Sequence, residues 1–127
     1  MPPPGIRWLI LDANDPDPDN ALTLAHARAR GYDLDAVRRR ITASLAEALA
    51  ALEPEWPGAL LITGGDTLLQ CLTRLGAQGI EPMLELFPGV ALSKCCLAGR
   101  ERFVISKSGG FGEQTLITDL QKLIQYP

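Results

Sequence analysis

The sequence predicts a single α/β domain, a three-layer sandwich built on a largely parallel or mixed sheet. Three observations carry this reading. Short continuous apolar runs, "IRWLILDA", "GALLIT" and "RFVIS", have the form of buried strands. Between and after them come segments whose apolar residues recur at spacings of three and four, the period of an amphipathic helix. The chain has 127 residues, 46% of them hydrophobic and 21% charged, which suits one domain with a core of useful size.

The elements follow in order. Residues 1–5 read as a tail, because three consecutive prolines precede the first apolar run. Residues 6–13 are the first expected strand. "NDPDPDN" follows, rich in turn formers, and its two prolines forbid regular pairing. Its three aspartates can attract a cation or simply keep a loop solvated. "ALTLAHARARGY" has helix-forming composition and stops at Gly31.

The clearest helix covers residues 33–52. Leu34, Val37, Ile41, Leu45, Ala48, Leu49 and Leu52 form one stripe. Asp33 can cap its start, Asp35 suits the dipole there, and Pro54 ends it. Arg38, Arg39 and Arg40 lie mostly off the stripe and read as a solvated face.

Residues 58–63 are the next strand. Leu68, Leu69, Leu72 and Leu75 make a short helix that Gly76 is placed to end. "IEPMLELFPGVALSKCCLAG" reads as two extended segments around Pro88 and Gly89, and residues 102–106 as one more strand. Leu116, Ile117, Leu120, Leu123 and Ile124 give a final amphipathic helix.

Composition excludes several function classes. The net charge is −3 and the pI about 5.1, which argues against broad binding to nucleic acid or to an anionic membrane. A small local cationic site stays compatible with that balance. Cys71, Cys95 and Cys96 are odd in number, two are adjacent, and no C-x-x-C pair exists. Neither a disulfide framework nor a zinc site is indicated, and reduced thiols point to the cytoplasm. Strand alternation puts one of Cys95 and Cys96 inside and one outside. The N-terminal apolar run, about five residues, is too short for a signal peptide or a membrane span. His26 sits in an alanine-rich helical stretch and reads as structural, and Trp8 and Trp56 flank strands as packing residues.

Two glycine clusters carry the chemistry. "TGGDT" and "KSGGFG" each follow a predicted strand and precede a predicted helix. A glycine turn lets a phosphate approach the backbone, and the next helix begins with unpaired N–H groups and partial positive charge. If the two strands are parallel, both turns lie at one sheet edge, where ligands of open α/β sheets bind. A plain glycine turn explains each cluster equally well. The common fingerprints are missing: there is no G-x-x-x-x-G-K-[ST], and Thr115 stands where the third glycine of a dinucleotide motif falls.

"LLITGGDT", "ELFPGV" and "VISKSGGFG", in that order, resemble the C-terminal nucleotide-binding domain of the four-carbon acid sugar kinases, the erythronate and threonate kinases. The likeness spans residues 60–112. Before Gly58 only the order of strand and helix agrees. The resemblance implies ATP and Mg2+ in a cleft shared with an N-terminal domain that carries most of the sugar-acid site. It implies that Gly64, Gly65, Asp66 and Thr67 contact the nucleotide. Asp66 then either reaches Mg2+ or caps the following helix. Gly109, Gly110 and Gly112 form the second wall, with Lys107 and Ser108 at its base. Lys107 is there for phosphate charge or as a plain surface cation. Glu85 and the turn Pro88, Gly89, Val90 match too, and read as a structural turn.

The chain departs from the family in length, one domain against about three. A serine-containing small-residue cluster expected near the start is replaced by "MPPPGIRW" and "NDPDPDN". No base for the attacking hydroxyl and no group for the substrate carboxylate is identified, so the catalytic residues are unknown. The expectation is a nucleotide-binding domain without its substrate domain, binding nucleotide weakly and not turning over sugar acids alone. The runner-up is a non-catalytic, effector-like interaction protein on a truncated kinase domain. Its uncovered apolar surface would take a homo-oligomer or another partner. A third reading is a fold fragment with no retained function.

Overall fold

A computed structural model describes residues 9–11, 20–56, 58–108 and 115–125. Two helices come first, α1 (Ala21–Ala29) and α2 (Leu34–Leu52). A 3-10 turn at Glu53–Glu55 leads to β1 (Leu60–Thr63) and α3 (Gly65–Arg74). Three strands follow, β2 (Ile80–Phe87), β3 (Val90–Leu97) and β4 (Arg100–Lys107), and then α4 (Leu116–Gln125). The strand order is β1-β4-β3-β2.

The helix boundaries come from local chemistry. Asp33 caps α2, accepting from the Ala36 N–H at 2.8 Å. Gly31 and Gly76 close α1 and α3 with the same device. Each has a positive φ, +72° and +68°, and each pair of following N–H groups turns back onto the last helical carbonyls. After α1, Gly31 donates to Arg28 O and Tyr32 to Ala27 O; after α3, Gly76 donates to Thr73 O and Ala77 to Leu72 O.

The sheet is mixed, not largely parallel. Only β1 and β4 run parallel; β4, β3 and β2 form an antiparallel meander. The reason is the two tight turns, which can join only antiparallel neighbours. Pro88 and Gly89 make one, with Gly89 at φ +74°, the order of a type II turn. Ala98 and Gly99 make the other, both at positive φ, as a type I′ hairpin requires.

Three layers result. On one face α2 and α3 bring Ala46, Cys71 and Leu75 against Leu60, Ile62, Val104, Cys95 and Leu97. On the other face Leu116 and Leu120 of α4 meet Val90 and Ile105. Leu60 and Ile62 point to the first face and Leu61 to the second, as strand alternation demands.

The expected first strand, residues 6–13, is not a strand where it is described. Leu9, Ile10 and Leu11 carry no strand pairing and are 43%, 64% and 40% exposed. An apolar run specifies a wish for burial but names no partner, and the described sheet ends at β1. The rest of that run and most of "NDPDPDN" lie outside the described residues.

All three cysteines are free. Cys95 is buried and Cys96 exposed, as alternation implied. Burial pushes the Cys71 and Cys95 thiols above their usual range, and Cys96 adds to the rise at Cys95. The arginines 38–40 are exposed, with Arg40 stacked over Tyr32 at 4.2 Å. Arg74 bridges α3 to Glu47 of α2 and holds that carboxyl below the usual carboxylate range. Both groups are exposed, so the pair adds little stability.

A buried charge cluster closes the amino end of β4. Glu53 is 1% exposed. Its Oε1 accepts from Arg102 Nε at 3.0 Å and Arg100 Nη2 at 2.9 Å. Its backbone carbonyl accepts from the same two arginines at 2.7 and 3.0 Å, and Arg102 Nη1 also donates to Gly58 O at 2.9 Å. The last turn of the α2 segment, the lead into β1 and the start of β4 are thereby tied together.

Candidate functional site

Parallel pairing of β1 with β4 sets their carboxyl ends side by side, with Thr63 in register with Lys107. One more hydrogen bond continues the ladder: Gly64 N–H donates to Lys107 O at 2.9 Å. The next residue of β4's exit, Ser108, donates its N–H to Gly89 O at 3.0 Å. Gly89 in turn donates to Glu85 Oε1 at 3.0 Å. Backbone bonds thus link the "TGGDT" turn, the start of "KSGGFG" and the "ELFPGV" turn at one edge. Glu85 serves its own turn as a cap, the structural role read from the sequence.

The two glycines of the first turn differ. Gly64 is the N-cap of α3 at φ +89° and ψ 135°, backbone that side chains with a Cβ rarely adopt. Gly65 opens the helix with no positive φ, and an added Cβ there would meet nothing within 4 Å. Neither dihedral nor packing demands glycine at Gly65. The first helical bond runs from Leu68 N–H to Gly64 O at 3.0 Å. The N–H groups of Gly65, Asp66 and Thr67 are therefore first-turn donors outside the helix's own bonding. The N–H of Gly64 is already engaged by the sheet.

A cleft of about 460 Å³ opens at this edge. Gly64, Gly65 and Leu68 line it from α3, Ser106, Lys107 and Ser108 from β4 and its exit, and residues 82–85 from β2. A smaller recess of about 250 Å³ lies on the α2 side of the same turn, where Asp66 and Thr67 face Arg38, Ile41 and Thr42. Gly64 and Gly65 border both. Lys107 is half-buried, and its Nζ donates to Ser108 O at 3.2 Å. Gly109, Gly110 and Gly112 lie outside the described residues. His26 is exposed on α1, with Nδ1 3.3 Å from Arg30 Nη1, and does not line the cleft.

Sequence reasoning missed Pro82, Met83 and Leu84 of β2 and Arg38 and Thr42 of α2. The signal for the first three was available: the turn after β2 carries one of the matched motifs. Arg38 and Thr42 gave no signal, because their proximity to the glycine turn is a matter of tertiary packing.

Metal chemistry can be weighed from the donor set. Among the described residues, no group of three or more His, Cys, Asp or Glu could hold a metal ion. Magnesium arriving on a nucleotide needs only phosphate oxygens, water and one or two carboxylates. Asp66 in the first turn of α3 and Glu85 on β2 are carboxylates of that kind. Among the described residues no helix is long and apolar enough to cross a membrane.

Comparison with known proteins agrees with the geometry. Residues 5–117 match the family model of the nucleotide-binding C-terminal domain. The D-threonate kinase of Bordetella bronchiseptica is 34% identical over 106 residues, which is 80% of this chain and 25% of the kinase. Two crystal structures of a domain of unknown function from the same organism are also similar. Both are domain-swapped dimers with bound citrate. They match with TM-scores of 0.56 and 0.55 at 31% and 32% identity, over 75% of this chain and 24% and 23% of theirs. The chain spans about a quarter of the length of these relatives. By sequence, fold and the convergence of its three motifs, this chain belongs to the C-terminal nucleotide-binding domains of the four-carbon acid sugar kinase family.

Proposed function

We propose that the chain binds the phosphates of ATP or ADP across its joined glycine turns. It is then the nucleotide-binding part of a kinase that phosphorylates a four-carbon sugar acid in carbohydrate metabolism. The observation that carries this is the register Thr63 with Lys107, extended by the Gly64 N–H bond to Lys107 O. It supports a single phosphate-binding edge made from two distant stretches of sequence.

Each residue has a part. The amides of Gly65, Asp66 and Thr67, at the positive end of α3, meet phosphate oxygens. Gly65 lets them come close. Lys107 supplies a point charge beside the second turn, where Ser108, Gly109, Gly110 and Gly112 form the other wall. Asp66 holds Mg2+ that arrives with the nucleotide. Phosphoryl transfer asks the protein for alignment and charge neutralisation, which these groups supply on the nucleotide side. The base for the sugar hydroxyl and the grip on its carboxylate come from residues beyond this chain, and the reading sets the protein in the cytoplasm with ATP.

The test is a thermal-shift titration with ATP and with ADP, each with and without Mg2+. Ligand at ten times its Kd should raise the melting temperature by about 5 °C for a domain of this size. No response at millimolar nucleotide sinks the proposal.

A second copy of the chain is the partner this reading adds. The citrate-bound relatives are domain-swapped dimers, and here edge strand β2 leaves Ile80 and Leu84 exposed. Light scattering on the purified chain should give twice the 13.7 kDa monomer mass. A monomer at high micromolar concentration removes the dimer from the reading.

A further inference from the structure

The cleft is chemically two-sided. Gly65, Lys107 and Ser108 bring amides and a cation to it, while Pro82 and Met83 bring an apolar wall from β2; Leu84, paired with Leu92, belongs to the row on the α4 face. These parts are spatially separate. β2 lies two strands from β4 and three from β1, about 10 and 14 Å across the sheet. Between them the floor is made of small side chains. Register places Ser106 and Ala91 in one row between Ile62 and Glu85, on the face covered by α3. The cleft therefore runs as a shallow trough from the glycine turns to β2.

Met83 occupies a special position in that wall. The pairing of β2 with β3 shifts between Pro82 and Leu84, so Met83 is the extra residue of a bulge. Bulges re-aim a side chain and are common beside binding sites. Met83 is 49% exposed and lines the trough, so its side chain is open to a ligand lying there. Pro82 beside it is rigid and Leu68 of α3 also borders the trough.

On the nucleotide reading above, we infer that Met83, backed by Pro82, is the platform for the base. Phosphates held at Gly65 and Lys107 leave the sugar over Ala91 and Ser106, and the base then lies against β2. A thioether is polarisable and packs well on an aromatic ring. The one carboxylate on this side, Glu85, is engaged with the Gly89 N–H, so the wall meets the flat face of the base with apolar surface and gains affinity by covering it.

Calorimetry with two ligands separates this inference from the reading beneath it. MgADP and magnesium tripolyphosphate are titrated into the wild-type chain, Met83→Asp and Met83→Leu. Met83→Asp should weaken MgADP about tenfold or more and leave tripolyphosphate within about twofold. Met83→Leu should keep both, and the retained tripolyphosphate binding of Met83→Asp shows that this variant is folded. Unchanged MgADP affinity in Met83→Asp, or parallel loss of both ligands, overturns the base platform while the phosphate site stands. Absence of binding of either ligand to the wild type overturns the phosphate reading and this inference with it.

Discussion

Glu53→Ala is expected to cost about 3–5 kcal/mol of unfolding free energy, read as a lower urea midpoint at unchanged slope. The substitution leaves the Arg102 guanidinium, 7% exposed, without its carboxylate. It also strips the carboxylate from Arg100, but that side chain is 48% exposed and water can replace the partner. Arg100→Ala is accordingly the mild control, with a loss of about 1 kcal/mol or less. A buried charge deprived of its partner is among the costliest single changes, large against the 5–15 kcal/mol that holds a whole domain. The double change Glu53→Met with Arg102→Met should recover much of the loss, since apolar groups of similar size avoid the desolvation penalty altogether. A loss below 1 kcal/mol for Glu53→Ala would falsify the view that this cluster fastens β4.

The second large effect separates two adjacent glycines. Gly64→Ala should destabilise by about 1–3 kcal/mol, because φ +89° and ψ 135° are strained for any residue with a Cβ. Gly65→Ala should be neutral or gain a few tenths up to about 1 kcal/mol, since alanine suits a helix and meets open space. Affinity runs the other way at that position. Gly65→Val should abolish the nucleotide-induced rise in melting temperature while the chain stays folded, because its side chain stands where a phosphate must approach the first-turn amides. Melting curves of the three variants, with and without MgADP, read both effects at once. Wild-type binding by Gly65→Val would show that glycine here is not kept for a ligand.

Much of this was legible in the sequence because it is local. The stripe from Leu34 to Leu52 and its Asp33 cap sit within one helix, and so do the glycine stops at Gly31 and Gly76. "TGGDT" was readable for the same reason, as glycines between a strand and a helix. The antiparallel meander was also implied by the Pro88–Gly89 turn, and the bias toward a parallel sheet underrated it. Illegible features are those that join distant positions. Glu53 and Arg102 are 49 residues apart, and nothing in either neighbourhood announces the other. The Gly64 bond to Lys107 O needs the register of β1 on β4, which no spacing supplies. Residues 9–11 of the expected first strand failed in the opposite sense: their composition is that of a strand, but composition does not provide an edge to pair with.

Strand β4 is also a mechanical part. Its eight residues extend about 26 Å, with the Glu53 clamp at one end and Lys107 at the other. Fastening and ligand contact therefore occupy opposite tips of one rod. Changes at either tip are far enough apart to add independently. The clamp can be strengthened or traded for apolar packing without touching ligand preference, and the turn residues can be varied on a base that does not loosen. A domain laid out in this way can drift in what it binds, or cease to bind, and still fold.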